Sequence, residues 1–174
     1  MKKASLIIQD IQNNVYNDTF LDIYVDQEQL EHQKLRYVQA IEKFIDLYGN
    51  QEVSIYSTPG RSEVCGNHTD HQHGEVLAAA INLDIIAVVA KDDTKIKILS
   101  DDFDIEVIHI ADLTLRENEK ESSEGLIRGI LARFQQLQHK IGGFVGYMTS
   151  DVLQGSALSS SAAFEVMIGT ILSG

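Results

Sequence analysis

Between Gln51 and Leu99 the chain has a succession of strand-like segments broken by one dense polar interruption, and few folds can carry that interruption. Val53, Ile55 and Ser57 alternate with neighbours as a half-buried strand does, and Pro59-Gly60 predicts its end. Val76–Ala80 and Asp84–Ala90 read as two further strands, the second so nearly continuous in apolar residues that both its faces must be covered. Between them, Arg61, Glu63, Asn67, His68, Asp70, His71 and His73 crowd a stretch bounded by glycines. Carboxylate, amide, imidazole and guanidinium groups at this density, on a loop held by buried strands, suit a small polyhydroxylated ligand.

The surrounding pattern mixes both element types. Residues 1–25 are weakly patterned, and Ala4–Ile8 fits a short strand or a helix. Asp26 predicts a helix N-cap with Gln29 as its capping-box partner. Leu30, Val38, Ile41, Phe44, Ile45 and Tyr48 then keep helical spacing up to a stop at Gly49. Lys95–Leu99 and Asp104–Ile110 alternate as strands around an Asp101-Asp102 turn. Arg116–Glu124 reads as a solvated loop. Ser123 predicts the cap of a helix carrying Leu126, Ile127, Ile130, Leu131, Phe134 and Leu137, ended by Gly142-Gly143. Phe144–Thr149 predicts a strand, and a helix follows from about Leu158. The fold class is α+β, with residues 1–50 as a helical extension packing on a core domain formed by residues 51–174.

Composition narrows the partners. A formal net charge of −12 on 174 residues, without a basic stripe, argues against nucleic acid and anionic membranes. Anionic ligands must then be held by local donors. No apolar run approaches the roughly 20 residues of a membrane span, and the N-terminus lacks a signal-peptide pattern. A single cysteine, Cys65, gives no internal disulfide. These features predict a cytoplasmic protein, with its oligomeric state left open.

Gln154–Ala163 supplies such local donors. Gly155, Ser156, Ala157, Leu158, Ser159, Ser160 and Ser161 follow a strand and open a helix, whose first N–H groups lack internal partners and sit at the positive end of its dipole. A glycine-bearing turn there can admit phosphate oxygens, with serine hydroxyls to assist or to bind magnesium. The plainer alternative is a helix capped by one serine. There is no Walker loop. For the polar loop, His68, Asp70, His71 and His73 also allow a zinc cluster, although no convincing fourth ligand completes it.

Pro59-Gly60-Arg61, Gly66, His68-Thr69-Asp70, Gly74, Val76-Leu77 and Ala80-Ile81 resemble the galactokinase signature, and Asp151–Ala163 resembles the second motif of the GHMP kinases. The two occur in the family's order. The resemblance runs from about residue 52 onward. It implies the two-layer α+β N-terminal domain of those kinases, a mixed β-sheet packed against helices with a left-handed β-α-β crossover. It also implies ATP-dependent phosphorylation of galactose at the anomeric hydroxyl, by positioning and charge stabilisation. By similarity Arg61 would assist transfer, Asn67, His68, Asp70 and His71 would contact the sugar, and Gly155–Ser161 would cradle the ATP phosphates. Ser161 would be a magnesium ligand.

The sequence departs from the family at four of these positions. Asn67 stands for a glutamate, His71 for a tyrosine, Leu153 for a proline and Ala157 for a glycine. The first two leave open a GHMP kinase acting on another sugar. The last two leave open a galactokinase-like sensor that binds sugar and nucleotide without turnover. The family's catalytic aspartate, a second magnesium carboxylate and a third glycine-rich motif lie beyond the matching region. The expectation is therefore the N-terminal part of a kinase, inactive by itself.

Overall fold

In a computed structural model, residues 1–66, 73–100, 104–105, 107–114, 116–152 and 160–174 are described. Strand β1 (Lys2–Lys3) leads into helices α1 (Ala4–Gln12), α2 (Asn17–Tyr24) and α3 (Leu30–Tyr48). Strands β2 (Glu52–Cys65), β3 (Leu77–Asp92), β4 (Lys95–Ser100) and β5 (Ile108–His109) follow. Helix α4 (Ser123–Gln136), strand β6 (Gly143–Ser150) and helix α5 (Ser160–Ser173) complete the order. The strands form one mixed sheet in the order β1-β2-β3-β6-β4-β5. All neighbours are antiparallel except β4 and β6, which run parallel. A parallel pair needs a crossover, and α4 lies in the connection between them.

The α+β expectation holds, and the alternation of β3 shows how the layers are built. Ile85, Ala87 and Val89 face a core shared with Ile127 and Leu131 of α4 and with Met167, Ile168 and Ile171 of α5. Ile86, Val88 and Ala90 face a second core built from Ile7 and Ile11 of α1, Phe20 and Tyr24 of α2, and Tyr37, Ile41 and Phe44 of α3. The predicted sheet-on-helix packing is thus the α4/α5 face. The N-terminal helices cover the opposite one, and β1 pairs with Glu52 and Val53 at the sheet edge.

Several local expectations are corrected. Pro59-Gly60 does not end β2, which runs on to Cys65, with register shifts at Pro59/Arg61 and Glu63/Cys65. The strands expected at Val76–Ala80 and Asp84–Ala90 are one strand. The strand expected over Asp104–Ile110 reduces to Ile108–His109, plus a single bridge from Asp104 to Leu99. Asp26 does cap, but it accepts from the Glu28 N–H at the head of a short 3-10 turn, and the Gln29 side chain makes no capping bond. Ser122, not Ser123, caps α4 by accepting from the Gly125 N–H at 3.1 Å. That helix ends at Gln136, and Gly143 already belongs to β6. Within Arg116–Glu124, Glu119 pairs with the buried Arg128 of α4 at 2.7 Å, so part of the expected solvated loop is tied down. The Asp101-Asp102 turn lies outside the described residues.

Gly143 is required by packing. A Cβ there would stand 2.1 Å from the Lys95 carbonyl oxygen, and backbone cannot swing aside as a side chain can. Gly143→Ala is therefore expected to destabilise by about 1–3 kcal/mol, as overpacking does. Urea unfolding with an unchanged m-value checks it.

Candidate functional site

Strand β3 pairs with β6 only from Ile85 to Asp92, whereas it pairs with β2 as far out as Leu77. Among the described residues, the two strands beyond Pro59 and Asp84 pair with each other and with no other strand, so they leave the sheet as a two-stranded ribbon running out to Cys65 and Leu77. Burial follows that geometry. Ile85–Ala90 are buried, while Val64 and Leu77 are exposed. The ribbon is a stem rooted in the core, and the polar residues 67–72 that follow its first strand in sequence lie outside the described residues.

Arg61 sits on this stem, paired across the ribbon with Ala80, with its side chain exposed. Gly66 follows β2 with φ of +117°, and a Cβ there would lie 2.8 Å from Val76 Cα. Only glycine satisfies both demands. Asn67, His68, Asp70 and His71 lie outside the described residues, as do Gly155, Ser156, Ala157, Leu158 and Ser159. Ser160 and Ser161 are the first two residues of α5, Ser161 with its side chain exposed. A helix start bearing two serine hydroxyls is chemically suited to phosphate oxygens. Helix α5 is brought to the ribbon's stem by packing on β2, where the Thr58 hydroxyl donates to Met167 Sδ at 3.6 Å. Among the described residues no group of three or more His, Cys, Asp or Glu side chains could hold a metal ion. A magnesium ion carried by a nucleotide needs only one or two protein oxygens, and Ser161 can offer one. No helix among the described residues is long and apolar enough to cross a membrane.

At the root of the stem lies a network that local sequence patterns do not reveal. Asp84 is buried, and one carboxylate oxygen receives Arg36 Nη1 of α3 at 2.5 Å. Its other oxygen accepts from the Tyr24 hydroxyl at 2.7 Å and from the Ser57 hydroxyl. Arg36 Nη2 also donates to the Asp84 carbonyl at 2.8 Å. Arg36 Nη1 lies 3.1 Å from Asp151, whose own N–H donates to the Asp84 carbonyl at 3.0 Å. Tyr24 and Tyr37 share a hydrogen bond of 3.0 Å. Burial pushes the Tyr24 hydroxyl well above the ordinary tyrosine range, with Tyr37 and the Asp84 charge adding to it. Burial likewise raises Tyr37. Both therefore stay protonated and serve as donors at any physiological pH. An open hollow of about 520 Å³ beside the ribbon is lined by Tyr24, Ser57, Pro59, Ala80, Asn82 and Asp84. The Tyr24, Ser57 and Asp84 groups in its wall are already bonded to one another. The clue in the sequence was Asp84 itself, a lone acid inside an apolar strand.

Residues 42–91 match the family model described as the galactokinase galactose-binding signature. That span comprises the end of α3, all of β2, the residues between β2 and β3, and nearly all of β3. Among solved structures, Lactococcus lactis galactokinase complexed with galactose is 26% identical, with a TM-score of 0.67 over 75% of this chain and 35% of that one. Methanococcus jannaschii mevalonate kinase gives 0.56 at 16% identity, over 71% of this chain and 40% of that one. A second mevalonate kinase gives 0.54 at 17% identity, over 70% and 40%. This chain therefore spans about a third of the length of the galactokinase it matches. The mevalonate kinases bear on the fold alone, and the galactokinase likeness is carried by the signature over residues 42–91 and by the 26% identical structure. The resemblance read from Pro59–Asn82 thus holds: the chain carries the galactokinase galactose-binding signature on the fold of the GHMP kinases.

Proposed function

We propose that this chain supplies the sugar-recognition and phosphate-binding segments of an ATP-dependent sugar kinase that phosphorylates galactose at the anomeric hydroxyl. The observation that carries the reading is the signature match at residues 42–91, which falls on the ribbon and its root. In this reading residues 51–174 form the N-terminal kinase region and residues 1–50 a helical extension on its outer face. Asn67, His68, Asp70 and His71 hydrogen-bond sugar hydroxyls. Residues 155–161 hold the nucleotide phosphates against the α5 N-terminus, and Ser161 offers an oxygen to magnesium. ATP, when bound, supplies the γ-phosphoryl group. Arg61 steadies the negative charge that moves during transfer, which is where a fixed guanidinium contributes most.

The test is incubation of the full protein with ATP, magnesium and a panel of hexoses, followed by ³¹P NMR of the products. Galactose 1-phosphate is the expected product. A tenfold or greater preference for another hexose would move the assignment to a different GHMP sugar kinase, the outcome that Asn67 and His71 favour. Saturable binding of galactose and ATP without turnover would make it a sensor, the outcome that Leu153 and Ala157 favour. Binding of neither ligand would overturn the proposal.

A further inference from the structure

We infer that Arg36 is a positioning residue for the phosphate-binding loop, acting through Asp151; this rests on the kinase reading above. Strand β6 ends at Ser150, and the segment leading into residues 155–161 begins at once. Its first two residues are held by described contacts. Asp151 is held at its carboxylate by Arg36 Nη1 at 3.1 Å and at its N–H by the Asp84 carbonyl at 3.0 Å. Val152 is buried, and its N–H donates to Ser150 Oγ at 3.1 Å while its carbonyl accepts from that hydroxyl at 3.2 Å. The far end of the segment is fixed by α5, whose Ala163 and Met167 are buried against the sheet.

The Arg36 guanidinium thus bridges two carboxylates with different duties. Asp84 marks where the ribbon departs from the sheet, and Asp151 marks where the phosphate segment departs from β6. One planar fork on α3 holds both departure points in register. Misplacing a phosphate-holding loop by a fraction of an ångström weakens nucleotide binding without touching any sugar contact. The N-terminal helices therefore act on the nucleotide side of the site.

Asp151→Ala is the decisive variant, because it removes the carboxylate that Arg36 holds while leaving the buried Arg36–Asp84 pair in place. Kinetics of the full protein should show KM for ATP raised about tenfold, the loss of one charge-assisted hydrogen bond. KM for the sugar should change less than about twofold. Amide exchange at residues 150–152 and in the first turn of α5 should quicken, with the melting temperature kept within about 2 °C. Arg36→Lys, which keeps charge but loses the fork, should produce the same kinetic split. Equal shifts in both KM values, or unchanged exchange at residues 150–152, would overturn the inference. If the unaltered protein shows no turnover, the kinase reading fails, and exchange together with ATP binding then decides the anchoring by itself.

Discussion

Replacing Arg36 by methionine is expected to destabilise the fold by about 3–5 kcal/mol, the cost of leaving a buried carboxylate without its counter-charge. Asp84 is 2% exposed and Arg36 7%. The Tyr24 and Ser57 hydroxyls would remain on one Asp84 oxygen, but they donate hydrogen bonds without supplying positive charge. For a chain of this size the melting temperature should fall by roughly 6–20 °C, followed by circular dichroism. A double variant, Arg36→Met with Asp84→Leu, should recover much of the loss, because removing both charges also removes the desolvation cost. A shift under about 2 °C in the single variant would show that the pair is hydrated and structurally idle.

That same network explains where the sequence could and could not be read. Alternation over Val53–Ser57 and the apolar run after Asp84 located β2 and β3, because period-two burial is a local property. The outer half of β2 and the join that makes β3 one strand across residues 81–83 were missed for non-local reasons. Proline lacks a ladder donor, yet β1 covers β2 only at Glu52 and Val53, so Pro59 sits where that flank of β2 has no strand partner. Asp84 is an acid placed in a buried strand, which only a partner can make tolerable. Its partner Arg36 lies 48 residues away, beyond the reach of any pattern within a window. For Asp104–Ile110 the alternation did not carry through: Ile105 and Ile108, three apart and so on opposite faces of a regular strand, are both buried, and only Ile108–His109 joins β4 as a strand. Of the candidate site, the galactose-binding signature was legible locally, through its glycines and histidines in order. Its support on α2 and α3 was not, because supporting residues are chosen by what they meet in space.

Substituting Arg61 with alanine should cost turnover far more than stability. On the ribbon the side chain is exposed, and a surface change of this kind ordinarily alters stability by no more than about 0.5 kcal/mol. If Arg61 stabilises charge on the transferring phosphoryl group, its removal should lower kcat by at least about 10²–10³-fold, the loss typical of one preorganised donor. Arg61→Lys separates geometry from charge. Lysine keeps the positive charge but not the planar fork, so it should restore only part of the rate. The decisive comparison is kcat against KM in the full protein with ATP and the preferred sugar. A fall in kcat with KM for both substrates nearly unchanged places Arg61 in the transition state. A rise in sugar KM alone would make it a binding residue. Full activity in Arg61→Ala would remove it from the reaction.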